Sequence, residues 1–576
     1  MRIRTSKSSK GRRFYIIKTY YDSKGVEHTV TVEKLGSEHE IREKYNCDPD
    51  EWVKRHLDEL NRAEAAQKKD VTVSFPADKL ITKNHRYEFQ VGYLFLQKIY
   101  HELGLDIICR DISSRHSFTY DLNSILSRLI YERILHPASK SATFDSSKSL
   151  LEPPAFEGHH IYRALDVLAE ESDYIQSSLY SNSFALGKRN TGVIYYDCTN
   201  FFFEVEDVEE DDIRQYGKGK ENRPLPLVEM GMFIDSDGIP LSVCINPGNT
   251  NEQITLRPLE KKIISDFGLS KFVVCTDAGL ASKANRRFNT LGERSFITVQ
   301  SVKKLKKDLK EWALSPSGWR ISGQNGRKTY DIGLLDSEKC RDVIFYKERW
   351  VDQNTFEEKL IVTFSFKYRD YQQHIREGQI QRAKAAIENG SAKLKKRNQN
   401  DYRRFIEKTS ATEDGEVAAK HTYSLNQDAI DEEKKYDGFY AVVSNLDDSV
   451  EQIIAANSYR WKIEECFRIM KSEFEARPAY VRKNSRIEAH FLTCFLALTV
   501  FRYLEKRLGY KYTCEQIIDT LREMRVREVM GEGYIPCYER TDLTDALHDK
   551  FQFRTDYNIT TRSEMKKIIK KTKTKK

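Results

Sequence analysis

Between Asn457 and Lys471 the apolar and charged positions recur with the period of a helix. At about 100° per residue, Arg460, Glu464, Arg468 and Lys471 share one sector, while Ile463, Phe467, Met470 and Phe474 form an apolar stripe roughly a quarter-turn away. This pattern predicts a helix that packs by one edge and carries a carboxylate among cations at the rim of that contact. Glu465 points to the opposite side. An ordinary surface helix with ion pairs at four-residue spacing has the same pattern, so the helix alone assigns no chemistry.

Upstream, the pattern shortens to continuous apolar runs of the kind that form buried strands. Val193 to Glu204 and Lys271 to Thr276 are two such runs, and each delivers an aspartate, Asp197 and Asp277, at what reads as its carboxyl end. Taken singly, an Asp after a strand is usually a turn residue or a helix cap. Leu227 to Asp235, Pro240 to Asn246 and Tyr436 to Asn445 are further strand candidates, and Thr250 to Gln253 fits a capping box opening a helix toward Ser265. Asn249 and Glu252 therefore have a structural explanation. Near the N-terminus, two alternating runs flank Ser23 to Gly25 as a hairpin would, and a lysine- and alanine-rich connector follows near residues 63 to 70. Residues 88 to 188 are mostly helical by periodicity, with Asp121 to Leu135 the clearest amphipathic piece and Pro137 its stop.

Composition changes this picture little. The chain has 576 residues, room for several domains, and its 95 basic against 87 acidic residues leave a net charge of +8. The positive charge is concentrated in Lys303–Lys310, Lys393–Arg397 and Lys566–Lys576, tracts that suit phosphate neutralisation and equally suit solvated faces. Trp312, Trp319 and Tyr402 nearby fit base contacts or small local cores. The ten cysteines form no CxxC pair, which points to reduced thiols rather than zinc knuckles or disulfides. The N-terminus has no apolar signal region. Ala489 to Phe501 falls short of the roughly 20 apolar residues that span a bilayer and reads as a core helix, with His490 a packed residue rather than a ligand.

Two strand-borne aspartates and an acid on a helix suit a two-metal phosphodiester site. Mg²⁺ prefers oxygen ligands, and a metal pair about 4 Å apart can serve both the attacking and the leaving oxygen. On these residues the chain resembles the insertion-sequence DDE transposases with an RNase H-like catalytic domain. The likeness is closest to the branch whose glutamate helix carries a Tyr, Arg, Glu, Lys signature. Arg460 lies four residues before Glu464 and Lys471 seven after it, as that signature requires, but Asn457 stands where the signature has tyrosine. Arg133–Lys140, Pro247–Glu252, Thr276–Ser282 and Ile487–Phe491 resemble other segments of the family, so the likeness runs from about residue 90 to 510.

The resemblance implies an α/β fold: an RNase H-like mixed sheet flanked by helices, interrupted by a β-rich insertion domain and preceded by a helical DNA-binding region. The expected divisions are a hairpin-and-helix segment (1–75), a helical region (76–190), a first catalytic part (191–300), the insertion (301–435), a second catalytic part with the glutamate helix (436–510), and a helical C-terminal region with a basic tail (511–576). Within the insertion, Gln379 to Arg404 reads as a charged helix lying along DNA. Asp197, Asp277 and Glu464 are the expected catalytic residues and ligands of two Mg²⁺ ions, with Mn²⁺ as a substitute. Arg460, Lys471 and Arg468 are the expected DNA contacts. The implied activity is cut-and-paste DNA transposition in a cytoplasmic, nucleoid-associated prokaryotic setting, away from any membrane. Its partners are double-stranded terminal inverted repeats and target DNA, and a homodimer forms in the DNA complex. A domesticated DNA-binding protein that keeps the fold, or a metal-dependent nuclease without strand transfer, are the alternatives.

Overall fold

A computed structural model describes residues 1–8, 11–21, 27–67, 73, 75–205, 208–219, 223–323, 328–391, 400–411 and 417–574, and within it the chain forms two compact units. The first comprises Met1–Tyr87, Glu528–Ile535 and Asn558–Arg562. Its strands β1 (Arg2–Ser8), β2 (Gly11–Tyr21) and β3 (Glu27–Ser37) form an antiparallel sheet. Helices α1 (Glu38–Tyr45) and α2 (Pro49–Gln67) follow. Ser37 ends β3 and starts α1 through a capping box, its backbone N–H donating to Glu40 at 2.7 Å. Phe14, Ile41 and Val53 make a small core. The hairpin expected from alternation is thus β2–β3, with β1 added. Its turn, Ser23 to Gly25, lies outside the described residues, as does most of the lysine-rich connector beyond Gln67.

The second unit spans Glu88–Arg527, Pro536–Tyr557 and Ser563–Lys576. It opens with β4 (Glu88–Gln90), paired antiparallel with Arg525–Arg527, and a helical layer: α3 (Tyr93–Glu102), α4 (Leu105–Arg115), α5 (Leu122–Leu135), α6 (Lys140–Ser147), α7 (Gly158–Glu170) and α8 (Ser172–Ser183). Asp121 caps α5 by accepting the Ser124 N–H at 2.9 Å, and Pro137 follows its end. An antiparallel meander comes next, β5 (Val193–Phe202), β6 (Leu227–Asp235) and β7 (Pro240–Pro247). Helix α9 (Glu252–Asp266) returns the chain so that β8 (Phe272–Thr276) runs parallel to β5. The cap of α9 is Asn251, which accepts the Gln253 N–H at 3.0 Å, so an Asx turn replaces the expected capping box. After α10 (Lys283–Phe288), β9 (Arg294–Gln300) adds parallel to β8. No strand was expected there, because its polar ends blur the apolar run.

The stretch from 301 to 435 is not a β unit standing apart. After α11 (Lys307–Leu314), β10 (Arg320–Ile321), β11 (Phe345–Asp352) and β12 (Glu357–Phe364) extend the same sheet, whose nine strands run β10-β11-β12-β15-β9-β8-β5-β6-β7 with β15 at Phe439–Ser444. Helix α12 (Phe366–Glu388), the ribbon β13 (Ile406–Ala411) and β14 (Val417–Leu425), and α13 (Gln427–Lys434) share a satellite core of Ala383, Phe405 and Ile430. The charged helix expected over Gln379 to Arg404 instead begins at Phe366 and ends at Glu388; residues 392–399 lie outside the described residues. β15 enters between β12 and β9 and pairs antiparallel with both. β15 therefore runs opposite to the parallel strands β8 and β9.

Helices α14 (Val450–Ser458), α15 (Trp461–Ser472) and α16 (Asn484–Arg507) complete the unit with α17 (Cys514–Glu523), α18 (Asp542–Phe551) and α19 (Arg562–Lys573). The apolar window of α16 passes the length and composition test for a membrane span, but 94% of it is buried inside the protein. His490 sits in it with Nε2 2.8 Å from the Ala476 carbonyl, and burial drives its pKa well below the ordinary histidine value. All ten cysteines are free thiols.

Candidate active site

Asp197 lies in the middle of β5, not at its end. Pairing with β6 continues to Phe202, because Phe201 and Phe202 remain in register with Val228 and Leu227. Along this strand Asp197 is the one interior position that is not buried. On its other side, β5 pairs in parallel with β8 only as far as Tyr195 opposite Cys275. Asp197 and Asp277 each stand two residues beyond that pair. Two-residue alternation therefore places them level and on one face of adjacent parallel strands, where the end of β8 opens a crevice beside β5.

Asp277 has a structural task as well. It caps the short turn Ala278–Leu280, its Oδ1 accepting the Leu280 N–H at 3.1 Å. Gly279 leaves room beside it, since a Cβ there would meet the Asp277 carboxylate at 3.2 Å, a tight contact. Asp197 accepts the Cys198 N–H at 2.8 Å.

The glutamate-bearing segment is two helices rather than one. At Tyr459 and Arg460 the backbone tightens into i to i−3 bonds, so α14 carries Asn457 and α15 carries Glu464. Across this joint Arg460 still reaches Glu464, at 4.0 Å. Ile463, Phe467, Met470 and Phe474 are buried as the stripe predicts, and Cys466 and Ile469 widen the packed face. The flank with Arg460 and Lys471 is turned to the crevice: Lys471 Nζ lies 5.6 Å from the Phe201 ring of β5. Burial pushes the Cys275 thiol of β8 up to about 12, against the opposing charge of Arg460. Burial also raises the Tyr440 phenol, opposed by its bond from Asn457 and by Arg460.

The other flank has a different environment. Lys462 Nζ donates to the Ser236 carbonyl at 2.6 Å, and Glu465 pairs at 3.2 Å with Arg502, a buried side chain on α16 that also holds Glu505 at 2.8 Å. Glu465, read from the pattern as pointing away from the packed edge, is therefore engaged by a second packed helix. Arg468 faces this side too. It pairs with Glu473 at 3.7 Å and lines a cavity of about 440 Å³ with Trp461, Glu465 and Arg502, so the structure does not bring it to the aspartates.

Sequence reasoning passed over one partner in the crevice, Tyr440. Asn457, in the signature's tyrosine position, donates to the Tyr440 hydroxyl at 2.9 Å and accepts from the Cys275 thiol at 3.7 Å. A phenol from β15 thus stands beside the position from which the helix tyrosine is missing; the signature spacing pointed to Asn457, but nothing in the sequence pointed to Tyr440. The basic tracts are partly consumed internally. Lys571 donates to the Gln552 carbonyl and Lys573 pairs with Glu152. Trp319 is fully buried in the sheet core and Tyr402 packs on the satellite core, so both belong to local cores. Lys393–Arg397 lies outside the described residues.

Among the described residues, no three His, Cys, Asp or Glu side chains are gathered closely enough to hold a metal ion. Asp197 and Asp277 form a level pair of oxygen donors, the chemistry that Mg²⁺ or Mn²⁺ prefers. The Glu464 side chain is 65% exposed on the facing helix. The pair fits a hard divalent cation, while the third carboxylate is not drawn in.

A family model described as a transposase DDE domain matches residues 200–500, just over half of the chain. The match contains Asp277, Arg460, Glu464, Arg468 and Lys471 and begins three residues after Asp197. No curated protein matches the chain. Among solved structures, a cryo-EM structure of the piggyBac transposase synaptic complex with hairpin DNA aligns at TM-score 0.36 and 9% identity, covering 84% of this chain and 87% of that one.

Proposed function

This chain belongs to the transposase DDE-domain family, and from that premise we propose that it binds transposon ends and cleaves and transfers their strands at the crevice between β5, β8 and α15. The observation that carries this reading is the level placement of Asp197 and Asp277 on adjacent parallel strands, with the Glu464 flank of α15 facing them. The two aspartates would hold the divalent metal, with Glu464 as the remaining carboxylate. Bound there, a Mg²⁺ pair supplies a polarised nucleophile and charge stabilisation for an in-line displacement.

The protein's own residues do the rest. Arg460 and Lys471, on the crevice side of the glutamate helix, clamp phosphates near the scissile bond, Arg460 by a bidentate fork. Buried packing of Ile463, Phe467 and Met470 fixes that flank against the sheet. Water performs the first cut, and the freed 3′-hydroxyl performs the second at the same carboxylates, so no covalent protein intermediate is required. Because two ends must be joined coherently, the DNA complex is a homodimer.

The test begins by searching the DNA on either side of the gene for inverted repeats and uses any that are found as the end substrates. Asp277→Asn removes a charge at nearly constant volume and is expected to abolish Mg²⁺-dependent cleavage while metal-free DNA binding persists. Wild-type cleavage by that variant would remove Asp277 from the site, and failure of the wild-type protein to join strands it has cut would favour the nuclease reading.

A further inference from the structure

A second polar cavity, of about 580 Å³, lies where the helical layer meets the segment following α15. Its walls include Arg133, Ser139, Tyr162, Glu475 and Tyr480. Arg133 is 4% exposed. Its guanidinium donates to the Phe474, Glu475 and Ala138 carbonyls at 3.1, 3.2 and 3.2 Å, and its buried Nε has no hydrogen-bond partner among the described residues. Immediately after the wall residue Ser139, Lys140 begins α6. It is also 4% exposed, and among the described residues it has no hydrogen bond or ion pair.

Two neighbouring buried basic groups, neither paired with a carboxylate among the described residues, are an unusual combination, because an uncompensated buried charge costs several kcal/mol. Burial and the Arg133 charge together push the Lys140 amine down to about 7. His490, close to both, stays neutral and offers no compensation. Glu475, the acid on the wall, meets Arg133 through its backbone carbonyl rather than its side chain. Ser139 caps α6 by accepting the Ala142 N–H at 3.2 Å, so the positive end of the helix is directed at the same wall. The missing component is an anion.

We propose that this cavity seats a backbone phosphate of a DNA strand, held by Arg133 and the first turn of α6 with the buried Lys140 behind the wall adding its charge, and with Tyr162 and Tyr480 against the adjoining sugar and base. The inference rests on the DNA-transposase reading and gives the helical layer a definite contact. Phe474 lies ten residues beyond Glu464, about 15 Å at the helical rise, so the bound strand continues from the crevice along α15. A phosphate here neutralises Lys140 and Arg133 together, which accounts for the lack of an acid partner to either among the described residues.

The experiment measures binding of a fluorescein-labelled duplex of arbitrary sequence by the full chain, without divalent metal, over a range of salt. Ser139→Asp retains a good helix cap and places a negative charge on the wall. Lys140→Met removes the buried charge at similar volume and is expected to leave the thermal midpoint unchanged or higher. Both variants are expected to bind roughly fivefold more weakly, and Lys140→Met to lower the salt slope by about one. Wild-type affinity and slope in both variants would overturn the phosphate site while leaving the transposase reading intact. A wild-type protein that binds no duplex even at low salt would overturn both.

Discussion

Glu464 and Glu465 are neighbours on one helix and have opposite circumstances. Glu464 stands 65% exposed at the crevice rim, 4.0 Å from Arg460. Glu465 reaches Arg502, a side chain 4% exposed that also holds Glu505. One carboxylate is free to take a ligand, whereas the other completes a buried charge network. The difference shows that α15 has a structural flank and a chemical flank, separated by a single residue step of about 100°.

The sharpest way to break this comparison is a cleavage assay on the two glutamine variants. Glu464→Gln should lower metal-dependent strand cleavage by orders of magnitude with an unchanged thermal midpoint. Glu465→Gln should cleave normally and lose stability, and an equal loss of cleavage in both would erase the distinction between the flanks.

Next in size is the network itself. Arg502→Met leaves Glu505 and Glu465 without their cation and should destabilise the fold by about 3 kcal/mol in urea unfolding. The same network sets a pH dependence. Burial pushes Glu505 up to about 7, so the folded state binds a proton that the unfolded state has already released at intermediate pH. Its stabilising contribution is fully present below the ordinary carboxylate range and is lost as pH rises toward 7. Glu505→Gln should flatten that decline; an unaltered stability–pH profile would show that Glu505 is not the group responsible for it.

Smaller effects belong to the crevice flank. Arg460→Ala and Lys471→Ala should each reduce the salt slope of DNA binding by about one, while Arg468→Ala, on the structural flank, should leave it unchanged. The smallest expected change is at the position where the signature tyrosine is missing. Tyr440→Phe removes the acceptor of the Asn457 amide and should cost about 1 kcal/mol of stability. Full stability in that variant would make the Asn457–Tyr440 bond incidental.

The sequence by itself determined the local elements and the candidate residues. Periodicity marked the buried stripe of α15, continuous apolar runs marked β5 to β8, and an amphipathic stretch stopped by Pro137 marked α5. Strand-like runs singled out Asp197 and Asp277, and helical spacing with the family signature singled out Arg460, Glu464 and Lys471. All of these depend on neighbours within a few residues, which a linear pattern records. Tertiary structure alone decided that Asp197 sits inside a strand and level with Asp277, because register is a relation between strands. It also made β10 to β12 extend the central sheet, reversed β15 relative to β9, and broke the glutamate segment at Tyr459 and Arg460. The same holds for Arg502 capturing Glu465, Asn457 meeting Tyr440, and Lys140 standing buried beside Arg133. Each joins side chains far apart in the chain, and the burial that fixes their chemistry exists only once those elements have packed.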